Sequence, residues 1–565
     1  MSEYLKRLVP LALAAVIAAC AQAPTRTTAK PSPDSGDYAA DVVYHALAGD
    51  IAAHRGQLDD AFSHFVWLAR KTHDVDAAEK AARIGLHLGK NGETLDAAAL
   101  WSSLAPSDPG ALEVKAALYL REGLADEAYE ALKAIVKLAG SDEREGFLDA
   151  AAVVTGSDNP ELGRELMARL ASEYRGVAEA RYAHALVLSA YGLFSEAAEE
   201  ARAAVTLKPG NELAWLLLSR IRLQQDRVEE SGAVLNEAVQ RNPNSRVLRV
   251  AYARWLVERN RNEQAFREFQ RLLRDSPKDP DVLFSVGALA TELERWDDAS
   301  RYWKRFLALG ERTDEARYFL AGVEYARGDP DGALALYEQV RGGPLVMEAA
   351  VRSAEIYAER GDMASARRLF VEQRVLHPER AATLYLIEAE LLRDYERNAE
   401  ATQVYDDAVA AFPGDADLLY ARAMHAASMN RLDILERDLR AILASEPDHA
   451  DALNALGYTL ADQTDRYEEA FALISRALEL KPENAAILDS MGWVHYRLGN
   501  LEAALAYLRR AAAKDFDSEI AAHLGEVLWV TGNQAEAMRV WQDALERDAG
   551  SSLVREAMQR LQTDQ

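Results

Sequence analysis

Proline returns along this chain at a nearly fixed interval. Pro209, Pro243 and Pro277 lie 34 residues apart, and Pro378, Pro413, Pro447 and Pro482 continue at intervals of 34 or 35. Alanine keeps the same period, at Ala265, Ala299 and Ala333 and again at Ala470 and Ala504. Such a recurrence rules out one core of unrelated elements, because each period must be a structural unit that stacks on its neighbours. The stretches between the prolines are rich in alanine, leucine, glutamate and arginine, which favour helix.

Each period reads as two helices. A small residue recurs where they cross: Ala185, Ser219, Ala253, Gly287, Ala321, Ala354, Ala389, Ala423, Gly457, Gly492 and Gly525. A turn glycine follows in many periods, at Gly123, Gly192, Gly328, Gly361, Gly499 and Gly532. The second helix then pairs an alanine with a large residue four positions on, as in Ala265 with Phe269, Ala299 with Trp303 and Ala537 with Trp541. That spacing puts both on one helix face. Proline ends the second helix because it cannot continue one.

This is the tetratricopeptide pattern. Units begin near Val42, Asp76, Pro109, Glu143, Ala178, Glu212, Arg246, Pro280, Asp314, Met347, Ala382, Ala416, Ala450, Ala485 and Ser518. The expected fold is all-α, an α-solenoid (superhelix) of about 14–15 helix-turn-helix units. Residues 37–177 read as degenerate units, 178–548 as the regular array, and 549–565 as a capping helix and tail. Leu553, Ala557 and Leu561 give that last helix an apolar stripe, as the end of a solenoid requires. The unit at Glu143 lacks the usual alanine and holds Gly156 and Pro160 in its turn, so it is either degenerate or a bend. Gly342-Gly343-Pro344 is a second irregularity.

The N-terminus reads as an address. Lys6 and Arg7 precede an apolar run from Leu8 to Ala19, too short to span a bilayer and right for a signal peptide. The run ends Ile17-Ala18-Ala19-Cys20, which resembles the lipobox of bacterial lipoproteins. That resemblance implies cleavage of residues 1–19 and acylation of Cys20, the only cysteine in the chain. Ala21, in place of an aspartate, points to the outer membrane and a periplasm-facing protein. Residues 21–36 are proline-containing and polar, a tether between the lipidated cysteine and the folded part.

The formal net charge of −26 disfavours a nucleic-acid partner. No catalytic motif of the zinc-protease, nucleophile-elbow or P-loop kind is present. No two of the eleven histidines lie three or four apart, so none pairs on one helix face. The expectation is a non-enzymatic chain with no cofactor, no metal and no small-molecule substrate, whose partners are other proteins.

Stacked units present their first helices to a common groove. Projection of each unit places Tyr182, Phe284, Tyr318, Tyr325, Tyr420, Tyr458, Trp493, Tyr496 and Trp529 on that face as partner-binding aromatics. Trp215, Trp303 and Trp541 fall at packing positions and read as core. Glu348, Glu355, Glu359, Glu390 and Asp394 would make the middle of the groove acidic. Its basic residues, Arg220, Arg254, Arg393 and Arg497, are scattered.

Three C-terminal segments carry a closer resemblance: Leu456-Gly457-Tyr458-Thr459-Leu460-Ala461-Asp462, Asp489 through Gly499, and His523 through Trp529. With the lipobox and the length, they resemble a family of proteobacterial tetratricopeptide lipoproteins. Its best-known member is the outer-membrane partner of a periplasmic carboxyl-terminal processing protease. The resemblance implies a scaffold that binds such a protease and helps present cell-wall hydrolases to it. The alternatives are an assembly lipoprotein, pilotin-like, for a secretin, pilus or outer-membrane complex, or an activator of a cell-wall synthase.

Overall fold

The computed structural model describes residues 38–140 and 143–563. Among the described residues there are 31 α-helices, one 3-10 turn and no strand, so the chain is an all-α solenoid of helix pairs. It divides into two compact units, one ending at Arg261 and one starting at Asn262. The step at residues 177 and 178 is where the repeat pattern sharpens, and packing does not divide there.

The first unit holds α1 (Tyr38–His54), α2 (Leu58–Thr72), α3 (Val75–Leu88), α4 (Asn91–Leu104), α5 (Gly110–Glu122), α6 (Ala125–Leu138), α7 (Glu143–Thr155), α8 (Pro160–Glu173), α9 (Ala178–Ala190), α10 (Phe194–Leu207), α11 (Glu212–Gln224), α12 (Val228–Arg241) and α13 (Arg246–Glu258). The second holds α14 (Asn262–Asp275), α15 (Pro280–Glu292), α16 (Trp296–Leu307), α17 (Thr313–Ala326), α18 (Pro330–Tyr337), α19 (Val346–Glu359), α20 (Met363–Leu376), α21 (Ala381–Asp394), α22 (Asn398–Ala411), α23 (Ala416–Ser428), α24 (Leu432–Ser445), α25 (Ala450–Gln463), α26 (Tyr467–Leu480), α27 (Ala485–Arg497), α28 (Leu501–Lys514), α29 (Ser518–Val530), α30 (Gln534–Arg547) and α31 (Ser552–Thr563). Odd-numbered helices up to α29 are the first helices of their repeats. The last, α31, packs on α29 and α30 as the terminal cap.

Two features of the backbone repeat with the sequence. Two residues after the recurrent proline, an N-cap starts the next first helix. Asn211, Ser245, Asp279, Asp415 and Asn484 accept from the backbone N–H groups of Ala214, Leu248, Val282, Leu418 and Ile487. Each such cap stabilises its helix by about 1 kcal/mol. Between the two helices of a repeat the chain passes through the left-handed region. Glycine does this at Gly192, Gly328 and Gly499, but Asp226, Asn260, Glu294, Glu396 and Asn430 take the same turn at φ of 54–60°.

The crossing points are tight. A Cβ on Gly492 would sit 2.5 Å from Leu508 Cγ, and one on Gly457 2.6 Å from Ile474 Cγ1. Ser219 meets Ser231 at 2.7 Å, a buried hydroxyl pair inside the first unit. Trp215, Trp303 and Trp541 are fully buried, as their positions require. The irregular repeat at Glu143 is a complete pair, α7 and α8, with Gly163 in place of the usual alanine, where a Cβ would sit 2.8 Å from Val154 Cγ1. Before Gly342-Gly343-Pro344, α18 stops after 8 residues, and Asp314 accepts from the Gly342 N–H at 2.8 Å.

Candidate functional site

The three C-terminal first helices bring one cluster together. On α25, Asn454, Tyr458 and Asp462 share a face at a spacing of four. On α27 the matching face carries Asp489, Trp493 and Tyr496, and on α29 Glu519, His523 and Glu526. The His523 ring stacks on Trp493, with centroids 4.1 Å apart, and Tyr458 lies 5.9 Å from His523. His523 Nδ1 and Asp489 Oδ2 are 2.8 Å apart. Trp493 Nε1 donates to Asp462 at 3.2 Å, and the Tyr496 hydroxyl donates to Glu526 at 3.2 Å. Arg560 of the cap reaches the same Glu526.

The electrostatics follow from burial and from the surrounding carboxylates. Burial pulls the His523 pKa down, but the Asp489 charge overcomes it, so the imidazole sits above its ordinary value. Burial and then the Glu519, Asp462 and Asp489 charges hold the Tyr458 phenol far above the normal range. Burial and Glu526 push Tyr496 up to about 12. The Asp489 Oδ1 and Asn454 Oδ1 atoms are buried with no hydrogen-bond partner among the described residues.

This geometry revises the aromatic column expected on an open groove. Trp493 is only 5% exposed and Tyr182 9%, so both are packing residues. The remaining members, Tyr325 apart, are half-buried. Phe284 sits among Trp303, Phe306 and Phe319 at 5.3–5.9 Å, and Tyr318 against Tyr337 at 5.6 Å. Tyr420 faces His449 at 6.2 Å, and Trp529 tilts onto Trp541 at 5.7 Å. The physical reason is crowding: these aromatics turn onto the second helix of their own repeat, as Phe284, Tyr318 and Trp529 do, or onto the start of the next repeat, as Tyr420 does.

Tyr325 is the open member of the column, 41% exposed, and its hydroxyl donates to Glu359 at 2.5 Å. The neighbouring Tyr395 is similarly exposed; the hydrogen bond to Glu359 raises the pKa of the Tyr325 phenol, and partial burial, followed by the Glu359 and Glu355 charges, raises that of Tyr395. Of the acidic residues expected here, Glu355 pairs with Arg352 at 2.7 Å and Glu390 with Arg393 at 2.9 Å. Glu348 and Asp394 are exposed.

One surface was not singled out from the sequence. On α1, Val43, Tyr44, Leu47 and Ile51 form a stripe, each at least half exposed. Its signal was present in the three- and four-residue spacing of these apolar side chains. The opposite side of α1 is anchored by His45, which stacks on Trp67 at 3.9 Å and meets His64 at 2.8 Å.

Among the described residues no group of three or more His, Cys, Asp or Glu is arranged to hold a metal ion. No described helix is long and apolar enough to cross a membrane. Cys20, the signal segment 1–19 and the tether lie outside the described residues.

Three family models match the chain: the TPR domain of cytochrome c-type biogenesis protein H over residues 201–317, and two tetratricopeptide-repeat models over residues 420–485 and 463–523. A TPR repeat-containing protein of Pseudomonas aeruginosa is 36% identical over 506 residues, spanning 88% of this chain and 84% of its own. Cellulose synthase operon protein C of Pseudomonas fluorescens is 26% identical over 237 residues, 38% of this chain and 18% of that one. Among solved structures, a thermophilic TPR protein of Thermus thermophilus is 23% identical across 32% of this chain and 100% of its own, with a TM-score of 0.30. A tetratricopeptide repeat protein of Parabacteroides merdae is 19% identical across 44% of this chain and 98% of its own, with a TM-score of 0.29. Repeats of this kind hold other proteins, and the chain is a protein-interaction scaffold. It belongs to the tetratricopeptide-repeat family, in the branch that includes the Pseudomonas aeruginosa TPR repeat-containing protein.

Proposed function

We propose that this scaffold is an outer-membrane lipoprotein, anchored through Cys20 and facing the periplasm, that binds a carboxyl-terminal processing protease and helps present cell-wall hydrolases to it. The observation that carries a docking role is the stripe on α1. Four large apolar side chains, Val43, Tyr44, Leu47 and Ile51, face solvent on one helix of the first repeat. A contiguous exposed apolar strip of this kind marks an interaction surface. It offers helix-in-groove anchors at the spacing that a partner's cleft reads.

The choice of protease rests on the resemblance of the segments around Tyr458, Trp493 and Trp529, together with Ile17-Ala18-Ala19-Cys20. The anchor rests on the same tetrapeptide, since stable membrane attachment needs more than one acyl chain, which lipoproteins of this kind carry. An assembly role for a secretin, pilus or outer-membrane complex, or activation of a cell-wall synthase, would use the same scaffold with a different client.

The test is affinity capture from envelope extract, read by mass spectrometry, with the wild-type chain, Leu47→Asp and Cys20→Ser compared. The reading expects a processing protease and cell-wall hydrolases with the wild type, loss of the protease with Leu47→Asp, and release of Cys20→Ser from the membrane fraction. Recovery of secretin, pilus or synthase components in place of the protease would overturn the client assignment. Membrane retention of Cys20→Ser would overturn the anchor.

A further inference from the structure

The second compact unit carries a groove of opposite character to the acidic chain around it. It lies between two second helices, α14 and α16, encloses 610 Å³, and has no Asp or Glu in its lining. The α14 wall is a row of Arg267, Arg271 and Arg274, at i, i+4 and i+7, all exposed. At 1.5 Å of rise per residue that row is about 10 Å long. Arg305 of α16 faces it, and the floor is Tyr302, whose hydroxyl accepts from Gln270 Nε2 at 3.1 Å.

These guanidiniums are unequally neutralised. Arg267 is 4.0 Å from Glu263, and Arg305 spends a donor on the Pro277 carbonyl at 2.9 Å. Arg271 shares Glu268 of its own helix at 2.7 Å. Arg274 has neither a hydrogen bond nor an ion pair among the described residues. Arg271 and Arg267 thus keep a carboxylate on their own helix, while Arg274 and Arg305 have none among the described residues, which leaves an electrostatic deficit at one place in a chain of net charge −26.

The geometry points to this groove as a docking site for an acidic segment of a partner protein, a run of Asp or Glu in extended form. Charge complementarity selects the sign. Guanidinium forks take carboxylates in a bidentate fashion, which fits side chains on a peptide. The shape selects the form, because a concavity about 10 Å long holds about three extended residues at roughly 3.3 Å each. A bilayer would touch only its rims. The site lies on second helices and uses neither the α1 stripe nor the aromatic cluster, so it is independent of the protease assignment.

The test is fluorescence anisotropy of labelled hexaglutamate with the full mature chain, at low salt and at about 150 mM salt. Arg274→Glu is the informative variant, since Arg274 is exposed and makes no hydrogen bond or ion pair among the described residues. Arg539→Glu, on an exposed face of α30, makes the same change in charge elsewhere. The expected result is saturable binding that weakens with salt, falls about tenfold in Arg274→Glu and changes less than about twofold in Arg539→Glu. Absence of saturable binding would overturn the site, as would equal loss in both variants. Arg274-dependent binding to vesicles of anionic lipid, without binding of hexaglutamate, would reassign it to a membrane surface.

Discussion

His523 and Asp489 sit one repeat apart on successive first helices and meet at 2.8 Å beneath Trp493, both side chains buried. Their contact is long-range in sequence and depends on the register of two repeats. It therefore reports on whether the C-terminal repeats are stacked.

The pair makes stability depend on pH in a definite direction. Burial lowers the imidazole pKa and the Asp489 charge, aided by Glu519 and Asp462, raises it above the ordinary 6.5. A group whose folded pKa is raised contributes fully below its unfolded value and loses that contribution as pH rises through the folded value. The urea midpoint is expected to decline as pH rises above about 6.5. Asp489→Asn should abolish that decline, and an identical decline in both proteins would refute the coupling.

Trp493→Ala removes a buried indole that stacks on His523 and binds Asp462. It is expected to destabilise the chain by about 3–5 kcal/mol. Tyr325→Ala, at an exposed position, should stay within about 0.5 kcal/mol. Chemical denaturation of the two variants side by side checks the assignment of one as core and the other as surface.

Gly492 lies where α27 crosses α28. A side chain there meets Leu508 Cγ at 2.5 Å and the Ala504 carbonyl oxygen at 3.1 Å, and backbone cannot step aside as a side chain can. Gly492→Val is expected to cost about 1–3 kcal/mol through overpacking, read as a lower urea midpoint with an unchanged slope.

Glu294 takes the left-handed turn at φ 54° without the freedom of glycine. Relief of the Cβ clash, less the entropy of a freer unfolded chain, gives Glu294→Gly a net stabilisation of roughly 0.5–1 kcal/mol. A fall in the thermal midpoint would show that the Glu294 side chain holds the turn in place.

The fold was legible because a repeat states its constraints many times over. Gly492, Trp303 and Pro277 each mark a position that later repeats mark again, so errors in one repeat are corrected by the next. The Pro-x-Asn or Pro-x-Asp caps, such as Asn211 and Asp279, were equally present in the sequence. Exposure was less legible. Helical position gives the side on which Trp493 or Tyr182 emerges, but not how closely the neighbouring first helix approaches. The α1 stripe is exposed because no described helix of the first unit covers Leu47 and Ile51, which is a fact about packing and not about spacing. The basic groove joins Arg274 and Arg305 across two helices, a juxtaposition that no local pattern announces.

The proposed function turns on docking of a processing protease through α1. Calorimetric titration of the purified protease into the full chain, wild type against Leu47→Asp, decides it. The expected result is saturable binding by the wild type and at least about a tenfold loss in Leu47→Asp, with helix content unchanged. Equal affinity in the two proteins, or no binding by a folded wild type, would contradict it.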